Sequence, residues 1–148
     1  MYPFIESLIP IALSECSFLD VGCGGGTLLH YLANKGLKLG VGTEISPEQI
    51  AICEALGDKQ VKYYQRDGRE KVVEEEGPFD VVASKYVVPH MGSPEEMDAL
   101  FLNQWANLKE GGTLLCVANV FDHASEPHVI AANYEFLRKG WELPAEGS

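Results

Sequence analysis

The sequence is poor in positive charge. Its 148 residues include 11 Lys and Arg against 22 Asp and Glu, which gives a formal net charge of −11. Because nucleic-acid affinity depends on Lys and Arg that neutralise phosphates, we expect no nucleic-acid partner. The sequence also lacks an apolar run of membrane-spanning length and a basic start of the secretory type. We therefore expect a cytoplasmic protein without membrane association.

Metal-binding patterns are also missing. The four cysteines are widely spaced, without a Cys-x-x-Cys pair or a Cys/His cluster: Cys16, Cys23, Cys53 and Cys116. Zinc sites and disulfide frameworks both depend on such spacings. We therefore expect no metal, and reduced thiols as in other cytoplasmic proteins.

Strand and helix patterns alternate along the chain, after a short apolar helix within residues 1–13. Predicted strands cover 17–21, 39–42, 61–64, 79–84 and 113–120. Predicted helices cover 25–35, 47–56, 69–75, 94–108 and 126–138. This alternation indicates an α/β fold with a doubly wound, mostly parallel sheet. The length suits a single domain over residues 1–148, with truncation at the C-terminus as an open alternative.

A glycine-rich turn follows the first predicted strand in the stretch LDVGCGGG at 19–26. A P-loop would need a lysine after these glycines, and none follows. The dinucleotide fingerprint would place its third glycine at position 27, where the chain has Thr27. Glycines at 22, 24 and 26 let a backbone approach a ligand closely, although a purely structural turn and a nicotinamide dinucleotide site both remain open.

With Asp20 ahead of the turn, LDVGCGGG resembles the class I S-adenosylmethionine-dependent methyltransferases. The likeness continues in order through four more stretches: GVGTEISPEQIAICEA at 40–55, RDG at 66–68, FDVVASKYVVPHM at 79–91 and LKEGGTLLCV at 108–117. The resemblance implies S-adenosylmethionine as cofactor and methyl transfer to a small-molecule acceptor.

Cofactor-binding residues are expected at the carboxyl ends of the strands, where ligands of such sheets lie. Glu44, twenty residues after Gly24, is placed to accept both hydroxyl hydrogens of a ribose. The resemblance implies that Asp67 accepts from the adenine amino group and that Asp20 lies beneath the methionine moiety. The full expected set is Asp20, Gly22, Cys23, Gly24, Gly26, Glu44, Ile45, Asp67, Gly68 and Ser84.

Methyl transfer is an in-line displacement, so an alcohol, phenol or protonated amine needs a nearby proton acceptor. His90 and His123 follow the fourth and fifth predicted strands and are the candidate bases, although such a histidine can also only orient a loop. We expect the substrate pocket to be lined by Lys85, Tyr86 and Phe121. SKYV stands where related amino-methylating enzymes carry Asn-Pro-Pro-Tyr, which argues against adenine or amide nitrogen as the acceptor.

The C-terminal end departs from the family. Its sheet normally continues past the fifth strand with a β-hairpin, whereas only nine residues, 140–148, follow the last predicted helix. We therefore expect the hairpin to be missing and segment 113–120 to be an open edge, which exposes unpaired backbone groups. A second copy, a partner chain or a swapped terminal segment would then cover that edge.

Two other functions are compatible with these residues. The chain would be a non-catalytic cofactor-binding subunit if another chain supplied the acceptor site. It would be a nicotinamide-dependent oxidoreductase if the glycine turn held a dinucleotide.

Overall fold

The computed structural model describes residues 1–69, 76–85, 93–118 and 128–133. The helices are α1 (Tyr2–Ser7), α2 (Thr27–Asn34), α3 (Pro47–Ala55) and α4 (Pro94–Ala106), and a 3₁₀ turn covers Leu13–Glu15. The strands are β1 (Ser17–Val21), β2 (Leu39–Glu44), β3 (Val61–Gln65), β4 (Phe79–Lys85), β5 (Leu108–Ala118) and β6 (His128–Asn133).

The strands form one sheet in the order β3-β2-β1-β4-β5-β6. Neighbouring strands from β3 to β5 are parallel, and β6 runs antiparallel to β5. Strand order reverses between β1 and β4, and ligands of such sheets lie beyond the carboxyl ends near that reversal. Val21 pairs with both Thr43 of β2 and Ser84 of β4, so three carboxyl ends are level there.

Hydrophobic clusters cover both faces of the sheet. Phe18 packs in one cluster with α2, and Leu19 and Val21 pack in the other with Leu100 of α4. All five residues of β1 are buried, as expected for a central parallel strand covered on both faces. The predicted doubly wound α/β fold is therefore confirmed.

Most predicted elements are confirmed with small shifts at their ends. Helices α3 and α4 begin at a proline behind a serine cap, with Ser46 accepting from the Gln49 amide and Ser93 from the Glu96 amide. Strand β5 begins at Leu108, earlier than predicted, because the chain passes Gly111 with a φ of 77° and pairs irregularly with the start of β4. Residues 70–75 of the predicted helix 69–75 lie outside the described residues.

The C-terminal predictions need correction. Residues 128–133 form β6 rather than part of a helix over 126–138, and they pair along 113–118 of β5. The edge expected to be open is therefore covered by the same chain over 113–118, so the expected second copy or partner at that place is wrong. An apolar edge strand presents unpaired backbone groups, and HVIAAN contains the β-branched residues that suit pairing with it. One antiparallel strand, β6, thus lies beside β5, whereas the sequence predicted no strand at that place.

The described residues contain neither a candidate membrane span nor a candidate metal site. Within ranges 1–69, 76–85, 93–118 and 128–133, no helix is long and apolar enough to cross a membrane. The same ranges contain no group of three His, Cys, Asp or Glu side chains that could hold a metal ion.

Candidate functional site

The glycine turn connects β1 to α2 at the carboxyl edge of the sheet. Gly22, Gly24 and Gly26 all have positive φ values, of 71°, 56° and 77°. Side chains disfavour that backbone region, which accounts for the glycines. The Cys23 amide donates to the Thr43 carbonyl at 2.9 Å and so fastens the turn to β2.

The two halves of the turn have different surroundings. Among the described residues, a Cβ atom added to Gly24 would meet nothing within 4 Å, whereas one added to Gly26 would lie 2.8 Å from the Tyr63 hydroxyl and 3.0 Å from the Cys53 sulfur. Gly26 therefore meets a packing requirement against β3 and α3. Gly24 borders open space that a ligand can enter.

Glu44 lies at the end of β2 and is held beside the turn. Its Oε2 accepts from the Gly24 amide at 2.9 Å, and its Oε1 accepts from the Ser46 amide at 3.4 Å. A carboxylate offers about four acceptor positions, so two of them remain available to a ligand. The side chain is therefore oriented in advance for hydroxyl donors.

Asp20 is a buried acid. It is 0% exposed, and neither carboxylate oxygen has a hydrogen-bond partner within the described part of the chain. Burial raises the pKa of Asp20 to about 7; the Lys85 ammonium lowers it and the Glu44 carboxylate raises it further. Because burying an unpaired carboxylate is costly, such a group is a marker of a binding site.

Asp67 follows β3 and is occupied within the chain. Its Oδ1 accepts from both the backbone amide and the Nε of Arg69, each at 2.9 Å. The hydrogen bonds from the Arg69 side chain hold the pKa of Asp67 below its usual value. The same guanidinium bridges to Glu96 of α4 at 2.6 Å.

Gly68 and Cys23 are packed against other residues of the protein. A Cβ on Gly68 would lie 2.9 Å from Val21 Cγ1, and its carbonyl accepts from Asn103 Nδ2 at 2.8 Å. The Cys23 sulfur is buried 4.0 Å from that of Cys53, whose thiol donates to the Gly24 carbonyl at 3.0 Å. These contacts fix the loop after β3 to α4, and the glycine turn to α3.

Ile45, Ser84 and Lys85 border the same edge. Ile45 follows Glu44 and is 63% exposed, which leaves an apolar side chain at the rim of the site. Ser84 is buried beside Val21 near the end of β4. Lys85 ends that strand, and its Nζ donates to the Tyr2 hydroxyl of α1 at 3.3 Å.

Four of the predicted site residues lie outside the described residues: Tyr86, His90, Phe121 and His123. Their proposed roles in catalysis and substrate binding remain predictions.

Sequence reasoning missed Tyr2, Tyr63 and Arg69. Tyr2 and Tyr63 reach the site from distant elements, and no motif in the sequence indicates either contact. The spacing Asp67-Gly68-Arg69 does place a cation two residues after the acid, and this signal was available.

The known proteins that resemble this chain are methyltransferases. A family model described as "Methyltransferase domain" matches residues 18–112. A ubiquinone biosynthesis O-methyltransferase from Xylella fastidiosa is 30% identical over 120 residues, which cover 79% of this chain and 46% of that protein. A protein of the same name from Escherichia coli is 35% identical over 81 residues, which cover 53% and 34% of the two chains.

Solved structures share the fold. CalS10, an amino pentose methyltransferase from "Micromonospora echinaspora" solved with S-adenosylmethionine bound, has a TM-score of 0.68 and 27% identity. The match covers 81% of this chain and 48% of that one. A chain solved with the Haloferax volcanii Trm112 methyltransferase activator also has a TM-score of 0.68, at 22% identity over 82% of this chain and 53% of its own. The chain thus spans about half the length of the relatives it matches.

Proposed function

Because the methyltransferase-domain model covers residues 18–112, the chain belongs to the class I S-adenosylmethionine-dependent methyltransferases, and we propose that it methylates a small-molecule acceptor. Membership confirms the predicted family, methyltransferase class and cofactor. The small-molecule acceptor and the activity of the whole protein are parts of the proposal.

The observation that carries the proposal is the pair of carboxylates beside the open part of the glycine turn. Asp20 is buried without a hydrogen-bond partner within the described residues, and Glu44 is tied to the Gly24 amide with acceptor positions to spare. S-adenosylmethionine has a cationic methionine end and a ribose diol, which are the donors that two such acids accept. The residues present therefore fit this cofactor.

Each carboxylate then has a defined task. Glu44 binds the ribose hydroxyls and holds the turn through Gly24. Asp20 receives the ammonium of the methionine moiety, whose charge stabilises the ionised acid. Asp67 reaches the adenine amino group only by exchanging part of its contact with Arg69, and Ile45 covers the adenosine at the rim.

When bound, the cofactor would supply an electrophilic methyl group on a sulfonium, with the thioether S-adenosylhomocysteine as the leaving group. Much of the rate then comes from orientation and from exclusion of water, both of which the residues around the turn can provide. A neutral hydroxyl acceptor would also need a base, for which His90 and His123 remain the candidates.

The names of the relatives support a small acceptor. One is an O-methyltransferase of ubiquinone biosynthesis and another methylates an amino pentose. The four cysteines are free, and Cys16, Cys23 and Cys53 are buried, which supports a cytoplasmic location. A single domain over residues 1–148 is supported by the one sheet that contains all the described strands.

Calorimetric titration tests the proposal. We expect S-adenosylhomocysteine to bind and NAD not to bind, followed by methylated products from a panel of small phenols, amines and sugars. Binding of NAD alone would establish the oxidoreductase instead. Tight S-adenosylhomocysteine binding without any product would favour a cofactor-binding unit that needs the rest of the protein or another chain.

A further inference from the structure

Lys85 is a cation at the centre of the carboxyl edge of the sheet. It ends β4, the strand that pairs with β1, and its Nζ also lies 4.9 Å from the centroid of the Tyr2 ring. Within the described ranges it has no carboxylate in ion-pair contact, and its hydrogen bond goes to the neutral hydroxyl of Tyr2. An ammonium group has three donors, so Lys85 retains donors for an anion.

A chain of hydrogen bonds through two hydroxyl groups leads from Lys85 toward the glycine turn. The Tyr2 hydroxyl is hydrogen-bonded to the Thr27 hydroxyl, and Thr27 is the first residue of α2. Helix α2 has Gly26 at its N-cap and therefore no side-chain cap. A cavity of about 440 Å³ opens beside these groups, lined by Met1, Tyr2, Pro3, Tyr31 and Lys85.

Lys85 also acts electrostatically on Asp20: its ammonium lowers the pKa of that acid, whereas burial raises it. Among the described residues, the edge thus holds a buried carboxyl group without a hydrogen-bond partner on β1 and a half-buried cation on the adjoining strand β4. A ligand with an ammonium and a carboxylate on one carbon matches two such neighbouring charges of opposite sign.

We propose that Lys85, with the Tyr2 and Thr27 hydroxyls, binds the α-carboxylate of the cofactor's methionine end, while Asp20 binds its α-ammonium. This assigns Lys85 to the cofactor rather than to the acceptor pocket predicted from the sequence, and it rests on the proposed function. The two charges together recognise an amino acid zwitterion and distinguish the whole cofactor from adenosine thioethers that lack this part.

The test compares two ligands and two variants by calorimetry. S-adenosylhomocysteine has the amino acid end, whereas 5′-methylthioadenosine has the same adenosyl thioether without it. In Lys85→Met we expect affinity for S-adenosylhomocysteine to fall about 10-fold or more, because a charge-assisted hydrogen bond is lost. Affinity for 5′-methylthioadenosine should change less than about 2-fold, which also shows that the variant is folded.

Lys38→Met is the matched control. Lys38 is exposed just before β2, at the opposite edge of the sheet, and the change removes the same charge. In Lys38→Met, the affinities for both ligands should stay at their wild-type values. Lys85→Arg should retain most of the S-adenosylhomocysteine affinity. Equal weakening of both ligands in Lys85→Met, or no weakening, would overturn the assignment. A wild-type protein that binds neither ligand would instead overturn the proposed function.

Discussion

Asp20 and Asp67 are acids at the carboxyl ends of two strands of one sheet, yet their surroundings are opposite. Asp20 is fully buried and without a hydrogen-bond partner among the described residues. Asp67 is partly exposed and accepts two hydrogen bonds at 2.9 Å from Arg69. The difference teaches that a motif can locate an acid, but that its partners decide whether it is available to a ligand.

The largest expected effect separates these two acids. Asp20→Asn keeps the shape of the side chain and removes the charge that receives the ammonium, so we expect S-adenosylhomocysteine affinity to fall about 10- to 100-fold. Thermal stability should stay constant or rise, because a buried unpaired charge is removed. Calorimetry and thermal unfolding measure both quantities. Loss of stability with unchanged affinity would place Asp20 in the core and outside the site.

The pH dependence sharpens the same comparison. The pKa of Asp20 is raised from 3.8 to about 7 in the folded protein, so the folded state binds more protons than the unfolded state between these values. The contribution of Asp20 to the free energy of unfolding should therefore decrease as pH rises from about 4 to about 7. Ionisation of Asp20 over the upper part of that range should strengthen S-adenosylhomocysteine binding.

Asp20→Asn is the control for both pH trends. Subtracting its unfolding curve from that of the wild type isolates the Asp20 contribution from those of Asp67 and Asp80, whose pKa values are lowered and which act in the opposite sense at lower pH. Parallel curves for wild type and variant would show that Asp20 does not titrate as described.

Glu44 should have an effect of comparable size. Glu44→Ala removes the ribose acceptor and the hydrogen bond to the Gly24 amide, so we expect S-adenosylhomocysteine binding to weaken by roughly 1–3 kcal/mol. Glu54→Ala removes an exposed acid of α3 and should leave binding unchanged. Equal affinity for Glu44→Ala and wild type would remove Glu44 from the site.

The glycine turn offers a paired test, because Gly24 borders open space and Gly26 is tightly packed. Gly26→Ala would bring a Cβ within 2.8 Å of the Tyr63 hydroxyl, so we expect about 1–3 kcal/mol of lost stability in denaturant unfolding. Gly24→Ala meets open space and should lose less stability, while it hinders the approach of the cofactor. The opposite ranking in stability would mean that the halves of the turn have been assigned the wrong roles.

The smallest effect is expected at Asp67. Asp67→Asn should weaken S-adenosylhomocysteine binding about 3-fold, less than either Asp20→Asn or Glu44→Ala, because part of any contact with adenine replaces an existing one with Arg69. Arg69→Ala, which releases the acid, should leave affinity unchanged or strengthen it. A greater loss of S-adenosylhomocysteine affinity in Asp67→Asn than in Asp20→Asn would show that Asp67, and not Asp20, is the acid more available to the ligand.

Local signals made much of the fold predictable. Glycines with positive φ, the serine-proline caps of α3 and α4, and the apolar runs of β1 and β4 act over a few residues, so they can be recognised without a structure. The same holds for Glu44, whose place at a strand end follows from spacing. Pairing of β6 with β5 depends on residues distant along the chain, and a helix was predicted there because local periodicity contains no such information.

Side-chain partners at the site were less predictable for a similar reason. Tyr63 lies over Gly42, where an added Cβ would come within 2.7 Å of its Cδ1, and it also reaches Gly26. Tyr2 reaches Lys85 from the first helix. Such contacts depend on the assembled sheet, so the sequence located the acids but not the residues that surround them.

The most direct test of the central claim is a crystal structure of the protein soaked with S-adenosylhomocysteine. We predict the ribose hydroxyls on Glu44 and the methionine ammonium within hydrogen-bond distance of Asp20, with the backbone of Gly24 against the ligand. A ligand bound elsewhere, or one that leaves both carboxylates without contact, would contradict the account.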